Sequence, residues 1–197
     1  MKVLVTSASR HEATAEIGAA IASALSGRGL AVDARAVDDV ASLDDYDAVV
    51  LGSAVYAGSW LRAAHVFVDR HADELRQRRV WLFSSGPIQA TPEHPVDPKS
   101  MHSLDVATGA IDHHVFEGRL DRRLISAGER IIANVVHVGE GDFRDWGEVR
   151  DWANRIADEL GAAPGPPAPT TDGGPGDGRP AGDMASHDTA DDSASPG

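Results

Sequence analysis

Lys2-Val3-Leu4-Val5-Thr6, then Ser7-Ala8-Ser9-Arg10-His11-Glu12, then Ala13-Thr14-Ala15-Glu16-Ile17 is the stretch that decides the fold. Its opening run is continuous rather than alternating, which predicts a strand buried on both faces. The polar residues Ser7 to Glu12 read as a loop. From Ala13 to Ser26, Ile17, Ala20, Ile21, Ala24 and Leu25 recur at helical spacing, and Gly27 and Gly29 end the helix. A second strand with rough alternation follows over Leu30–Val37.

The pattern then repeats. Asp47–Ser53 reads as a third, fully buried strand and Leu61–Gln77 as the next helix. Val80–Ser84 predicts a fourth strand, and a Pro-rich loop (Pro92, Pro95, Pro98) leads to a short helix near Met101–Thr108. Ile111–Phe116 predicts a fifth strand, and two helices close the domain, near Asp121–Val136 and over Asp145–Leu160. Strands alternating with helices at this spacing mean βαβ units, hence a parallel sheet covered on both faces. Ligands of such sheets bind beyond the carboxyl ends of the strands, so the loops after strands one, three and four are where function belongs.

Composition bounds the rest. The 197 residues are 42% hydrophobic, enough for one core, but the apolar residues thin out after Leu160. We read residues 1–161 as the folded domain and 162–197 as a disordered acidic tail rich in Pro, Gly, Ser and Asp, too poor in apolar surface to offset its ordering entropy. A net charge of −13 with no run of Lys or Arg argues against a nucleic-acid partner. Zero Cys excludes disulfides and thiolate sites. The first apolar run is too short for a signal-peptide core or a membrane span, so the expectation is a cytoplasmic protein.

Each of the three loops has two readings. Ser7, Ser9 and Thr14, with amides at the mouth of a helix, suit a phosphate, although Ser and Thr also collect at helix starts as caps. The loop after strand three carries Tyr56 and Trp60, either of which could stack on a planar ligand, while Trp60 could equally pack under the helix it opens. Ser84-Ser85-Gly86-Pro87 could offer hydroxyls and amides to a polar ring edge, or form an ordinary turn.

Other chemistries lack their residues. No G-x-G-x-x-G follows strand one, no Walker lysine is present, and no G-x-S-x-G marks a hydrolase. A phosphoacceptor receiver needs acidic residues where Thr6-Ser7-Ala8 and Ser53-Ala54 stand. The nine His contain no H-E-x-x-H, and His113-His114 reads as a polar strand end rather than a metal site.

Taken in order, Val5–Thr14, Gly52–Leu61 and Val80–Pro87 resemble the flavodoxin-domain family, actinobacterial members most closely, with a more distant similarity to menaquinone-dependent protoporphyrinogen dehydrogenase. The likeness extends through Gly141-Asp142-Phe143-Arg144-Asp145-Trp146 and the last helix. It implies an α/β, flavodoxin-like open five-stranded parallel sheet of order 2-1-3-4-5 with helices on both faces. It also implies FMN. The phosphate would lie in the first loop among Ser7, Ala8, Ser9, Arg10, His11, Ala13 and Thr14, with Ser9 and Thr14 giving hydroxyls. The ring would lie between Ser53, Ala54, Val55, Tyr56, Gly58 and Trp60 on one side and Ser84, Ser85, Gly86 and Pro87 on the other. The implied function is a redox one, electron transfer or a quinone-linked dehydrogenation, with a redox protein, a quinone or another small molecule as partner. The alternative is a binding module that keeps the fold without FMN. Two positions depart from the family: Ser7 stands where an aromatic is usual, and Glu12 where Gly is usual. The broad apolar face of Leu124, Ile125, Ala127, Ile131, Ile132, Val135 and Val136 suits packing on the sheet or on a second subunit better than a membrane surface, which leaves a homodimer open.

Overall fold

The computed structural model describes residues 1–56, 58–86, 98–120 and 141–163. Five parallel strands form the sheet: β1 (Lys2–Ala8), β2 (Ala31–Ala36), β3 (Ala48–Tyr56), β5 (Arg79–Gly86) and β6 (Asp112–Glu117). Their spatial order is β2-β1-β3-β5-β6, the expected order once the two-residue β4 (Ser59–Trp60) is set aside. That sixth strand was not expected. It pairs antiparallel with the end of β3, Val55 opposite Trp60 and Tyr56 opposite Ser59. Tyr56, read from the sequence as loop, therefore ends a strand.

The elements follow from the apolar runs. In β5, Trp81 and Phe83 face one side and Val80 and Leu82 the other. One face is covered by α1 (Ala13–Gly27) and the C-terminal helix α4 (Trp146–Glu159), where Ile17, Ile21, Leu25, Trp152 and Ile156 pack on Val3, Val5, Trp81 and Phe83. The other face is covered by α2 (Arg62–Arg76) and α3 (Pro98–Thr108) through Phe67, Val68, Leu75 and Leu104. Asp145 caps α4 as expected of an Asp before a helix, its carboxylate accepting from the amides of Gly147 and Glu148 at 2.7 and 3.1 Å.

A second small sheet, also unexpected, joins β7 (Arg119–Leu120) antiparallel to β8 (Gly141–Asp142). The helix expected near Asp121–Val136, its apolar face, Pro87, Pro92, Pro95 and most of the tail lie outside the described residues, while Pro98, expected in the Pro-rich loop, opens α3. No helix among the described residues is long and apolar enough to cross a membrane.

Candidate functional site

The carboxyl ends of β1, β3 and β5 converge because their registers align Ala8 with Ser53 and Ala54 with Ser85. Gly86 lies so close to β3 that a Cβ there would stand 3.2 Å from the Val55 carbonyl. Gly118 is tighter still, with a Cβ 2.9 Å from Gly86. The rim of the site is thus built where backbones approach closely.

The first loop is the most informative. Glu12 takes φ 62° and ψ −21°, a left-handed conformation, and among the described residues it is the only non-glycine with positive φ. Ala13 N–H turns back to the His11 carbonyl at 2.7 Å, and Glu16 N–H reaches the Glu12 carbonyl at 2.8 Å. The turn for which Gly is usual is therefore made by Glu, at a steric cost of about 1 kcal/mol or more. No side chain caps the N-terminus of α1, and with the Ala13 and Glu16 amides taken by backbone carbonyls it is those of Thr14 and Ala15 that find no side-chain acceptor. Thr14 is buried and Ser9 half-buried, and no hydrogen bond joins either hydroxyl to a described residue. His11 Nε2 is enclosed and likewise without a partner among them. An open helix mouth, two spare hydroxyls and an orphaned ring nitrogen fit an incoming phosphate group.

The Arg10 guanidinium sits 5.4 Å from the centre of the Tyr56 ring, which joins the first and third loops. Gly58 makes the hairpin turn at φ 79°. Beside the first loop a groove of about 380 Å³ is lined from α1 and β2, with Ser7, Ser9, Arg10, Glu12 and Arg35 among small and apolar residues. Ser7 turns toward α1 rather than toward β3, its Oγ 3.7 Å from where a Cβ on Gly18 would stand.

Several expected site residues make structural contacts. Trp60 is buried, and its indole N–H donates to Ser84 Oγ at 2.8 Å. Ser84 Oγ in turn meets His113 Nε2 at 3.0 Å, and His113 Nδ1 meets the Asp105 carboxylate at 2.8 Å. This Asp–His–Ser line has triad-like order, but Ser84 is wholly buried under Trp60 and cannot act as a nucleophile. It ties β4, β5, β6 and α3 together below the site. Ser53 Oγ, also buried, donates to the Ala54 carbonyl and accepts from Leu61 N–H at 3.0 Å, which fixes the start of α2. Ala54, Ser85 and Gly86 are buried at the strand ends, while Val55 and Tyr56 are half-buried at the rim. His114 pairs with Glu148 and lies against Phe116, and no cluster of three metal-ligating side chains occurs among the described residues.

Sequence reading missed Glu16, Arg119 and Arg144, which surround the first turn of α1. Hydrogen bonds from the Arg144 guanidinium hold the Asp142 carboxyl below its ordinary range, and Asp142 raises Arg144 in return.

A parallel, doubly wound sheet with its candidate site at the carboxyl ends of β1, β3 and β5 is the architecture of a flavodoxin-type α/β domain. Residues 4–145 match the flavodoxin domain family, and the chain belongs to that family. Among solved structures it is similar to flavodoxin 1 of Bacillus cereus, at 16% identity and TM-score 0.57, over 81% of this chain and 99% of that one. Flavodoxin of Streptococcus pneumoniae TIGR4 is similar at 20% identity and TM-score 0.56, over 82% and 98%. Rubredoxin:oxygen oxidoreductase of Desulfovibrio gigas is similar at 13% identity and TM-score 0.56 over 81% of this chain, which spans only 36% of that longer one. No curated protein sequence matches the chain.

Proposed function

We propose that this domain binds FMN and serves as a redox protein. The observation that carries the reading is the Glu12 turn: a strained left-handed residue retained between β1 and an uncapped helix. Strain of this kind persists where the surroundings over-determine it, and here it presents amides toward a phosphate. On this reading Ser9 and Thr14 give hydroxyls to the phosphate, Arg10 and His11 lie beside it, and the α1 dipole favours its charge. Tyr56 at the end of β3 and Gly58 in the hairpin border one side of the ring, and Ser85 and Gly86 the other. Trp60, Ser53 and Ser84 hold those borders from beneath. The flavin supplies the one- and two-electron chemistry, and the chain binds, orients and shields it.

The electron partner is a redox protein, a quinone or another small molecule that reaches the ring at the rim near Tyr56. The reading in which the fold is kept and FMN is lost is disfavoured by the same turn, since a lost site has no need of a strained residue. Titrating the purified apo-protein against FMN tests the proposal. Quenching of flavin fluorescence with one-to-one stoichiometry at micromolar concentration is expected, and no quenching would remove the reading.

A further inference from the structure

The β7–β8 ribbon and the short segment that follows it place two arginines against the first turn of α1. Arg144 is enclosed, its side chain 3% exposed. Through Nε and Nη2 it holds both oxygens of Asp142 at 2.7 and 2.6 Å. Through Nη1 it donates to the Glu16 carboxylate at 2.7 Å and to the Ala13 carbonyl at 3.3 Å. Its flat face lies 4.4 Å from the centre of the Trp146 ring. Arg119 donates through Nη1 to Glu16 at 3.2 Å and through Nη2 to the His11 carbonyl at 3.3 Å. One carboxylate, Glu16, thus anchors two guanidiniums, and each guanidinium also grips a carbonyl of the first loop.

A trans peptide points its C=O and N–H in opposite directions. Tying the His11 carbonyl to Arg119 therefore turns the Glu12 N–H the other way. Tying the Ala13 carbonyl to Arg144 does the same for the Thr14 N–H. Glu12, at φ 62°, stands between the two gripped carbonyls. Its conformation is held from both sides, which is the over-determination that a strained residue requires.

We propose that Glu16, Arg119 and Arg144 form a positioning clamp that presets the loop amides for a phosphate monoester, and so favours phosphorylated over unphosphorylated flavin. The proposal rests on the FMN reading above. None of the three residues need touch the cofactor; they act through the loop backbone.

Glu16 gives the test a sign. As a bare charge near a phosphate it repels, and its removal would tighten binding. As the anchor of both guanidiniums, its removal loosens the loop and weakens binding. The side chain is 39% exposed, and Ala is a good helix former, so Glu16→Ala keeps the fold. FMN and riboflavin are titrated against the wild type and this variant. The clamp predicts that FMN affinity falls about tenfold while riboflavin affinity stays within about twofold. Arg119→Gln, at a partly exposed side chain, is likewise expected to lower FMN affinity while riboflavin affinity stays within about twofold. FMN binding that is unchanged or tighter in Glu16→Ala, or equal losses for both flavins, would overturn the clamp.

A wild type that binds no FMN would instead remove the reading on which the clamp rests. The clamp is then judged with inorganic phosphate, through the amide resonances of Glu12, Ala13 and Thr14. Shifts in the wild type that shrink in Glu16→Ala support it. Equal shifts in both proteins, or none in the wild type, refute it.

Discussion

At the scale of single residues, Glu12 concentrates the argument. The sequence marks the position, because Glu stands where the family favours Gly, but it cannot say whether the backbone follows the residue or the family. The structure answers that the backbone keeps the left-handed turn and the side chain is carried along. Replacing Glu12 with Gly relieves the steric conflict and removes a negative charge beside the first loop. Urea unfolding of Glu12→Gly is expected to show a stability gain of about 1 kcal/mol. Its FMN affinity is expected to rise as well, and a variant less stable than the wild type would contradict this account of the turn. Trp60 teaches the opposite lesson. An aromatic on a loop looks the same in sequence whether or not it also bonds to Ser84, a partner 24 residues away that no local pattern announces.

At the scale of elements, the long strands and helices among the described residues were legible to within a few residues, because continuous apolar runs, helical spacing and terminal glycines each have a physical cause. β4, β7 and β8 were not, since strands of two residues have no periodicity to read. The contacts of Arg119 with Glu16 join positions 103 apart, and no local pattern announces them. The pairing of β3 with β5 gives a sharp test. A Cβ on Gly52 would fall 2.0 Å from Phe83 Cζ, within a ring that is fully buried. Gly52→Ala is therefore expected to cost about 3 kcal/mol by chemical denaturation, and a loss under about 1 kcal/mol would show that Phe83 can move aside.

The β8 end of the ribbon carries a pH signature. Asp142 has a folded-state pKa lowered by hydrogen bonds from Arg144, so it stabilises the fold above the unfolded Asp value, about 3.9. That contribution is lost as pH falls through the folded pKa. Asp142 is partly exposed, so solvent screening keeps the effect modest. Thermal unfolding of Asp142→Asn should show a deficit against the wild type at neutral pH that shrinks below about pH 4. A deficit that grows as pH falls would contradict the ion pair.

At the scale of the molecule, strand–helix alternation alone gives the parallel sheet, and the order of its strands places the carboxyl ends of β1, β3 and β5 at one edge. The family match adds that such an edge belongs to a flavodoxin domain. Residues outside the quoted loops finish the site: a ribbon and two arginines from the C-terminal half grip a turn built by the N-terminal half. The described chain ends tied to the same body, since Arg28 donates to the Ala163 carbonyl at 2.6 Å and to Asp158 at 2.6 Å. The central claim is that this edge holds FMN. The visible absorbance spectrum of the protein, purified and supplied with FMN before removal of free flavin, tests it most directly. Flavin bands that stay with the protein at about one equivalent per chain are predicted, and a protein fraction colourless after that treatment would contradict the claim.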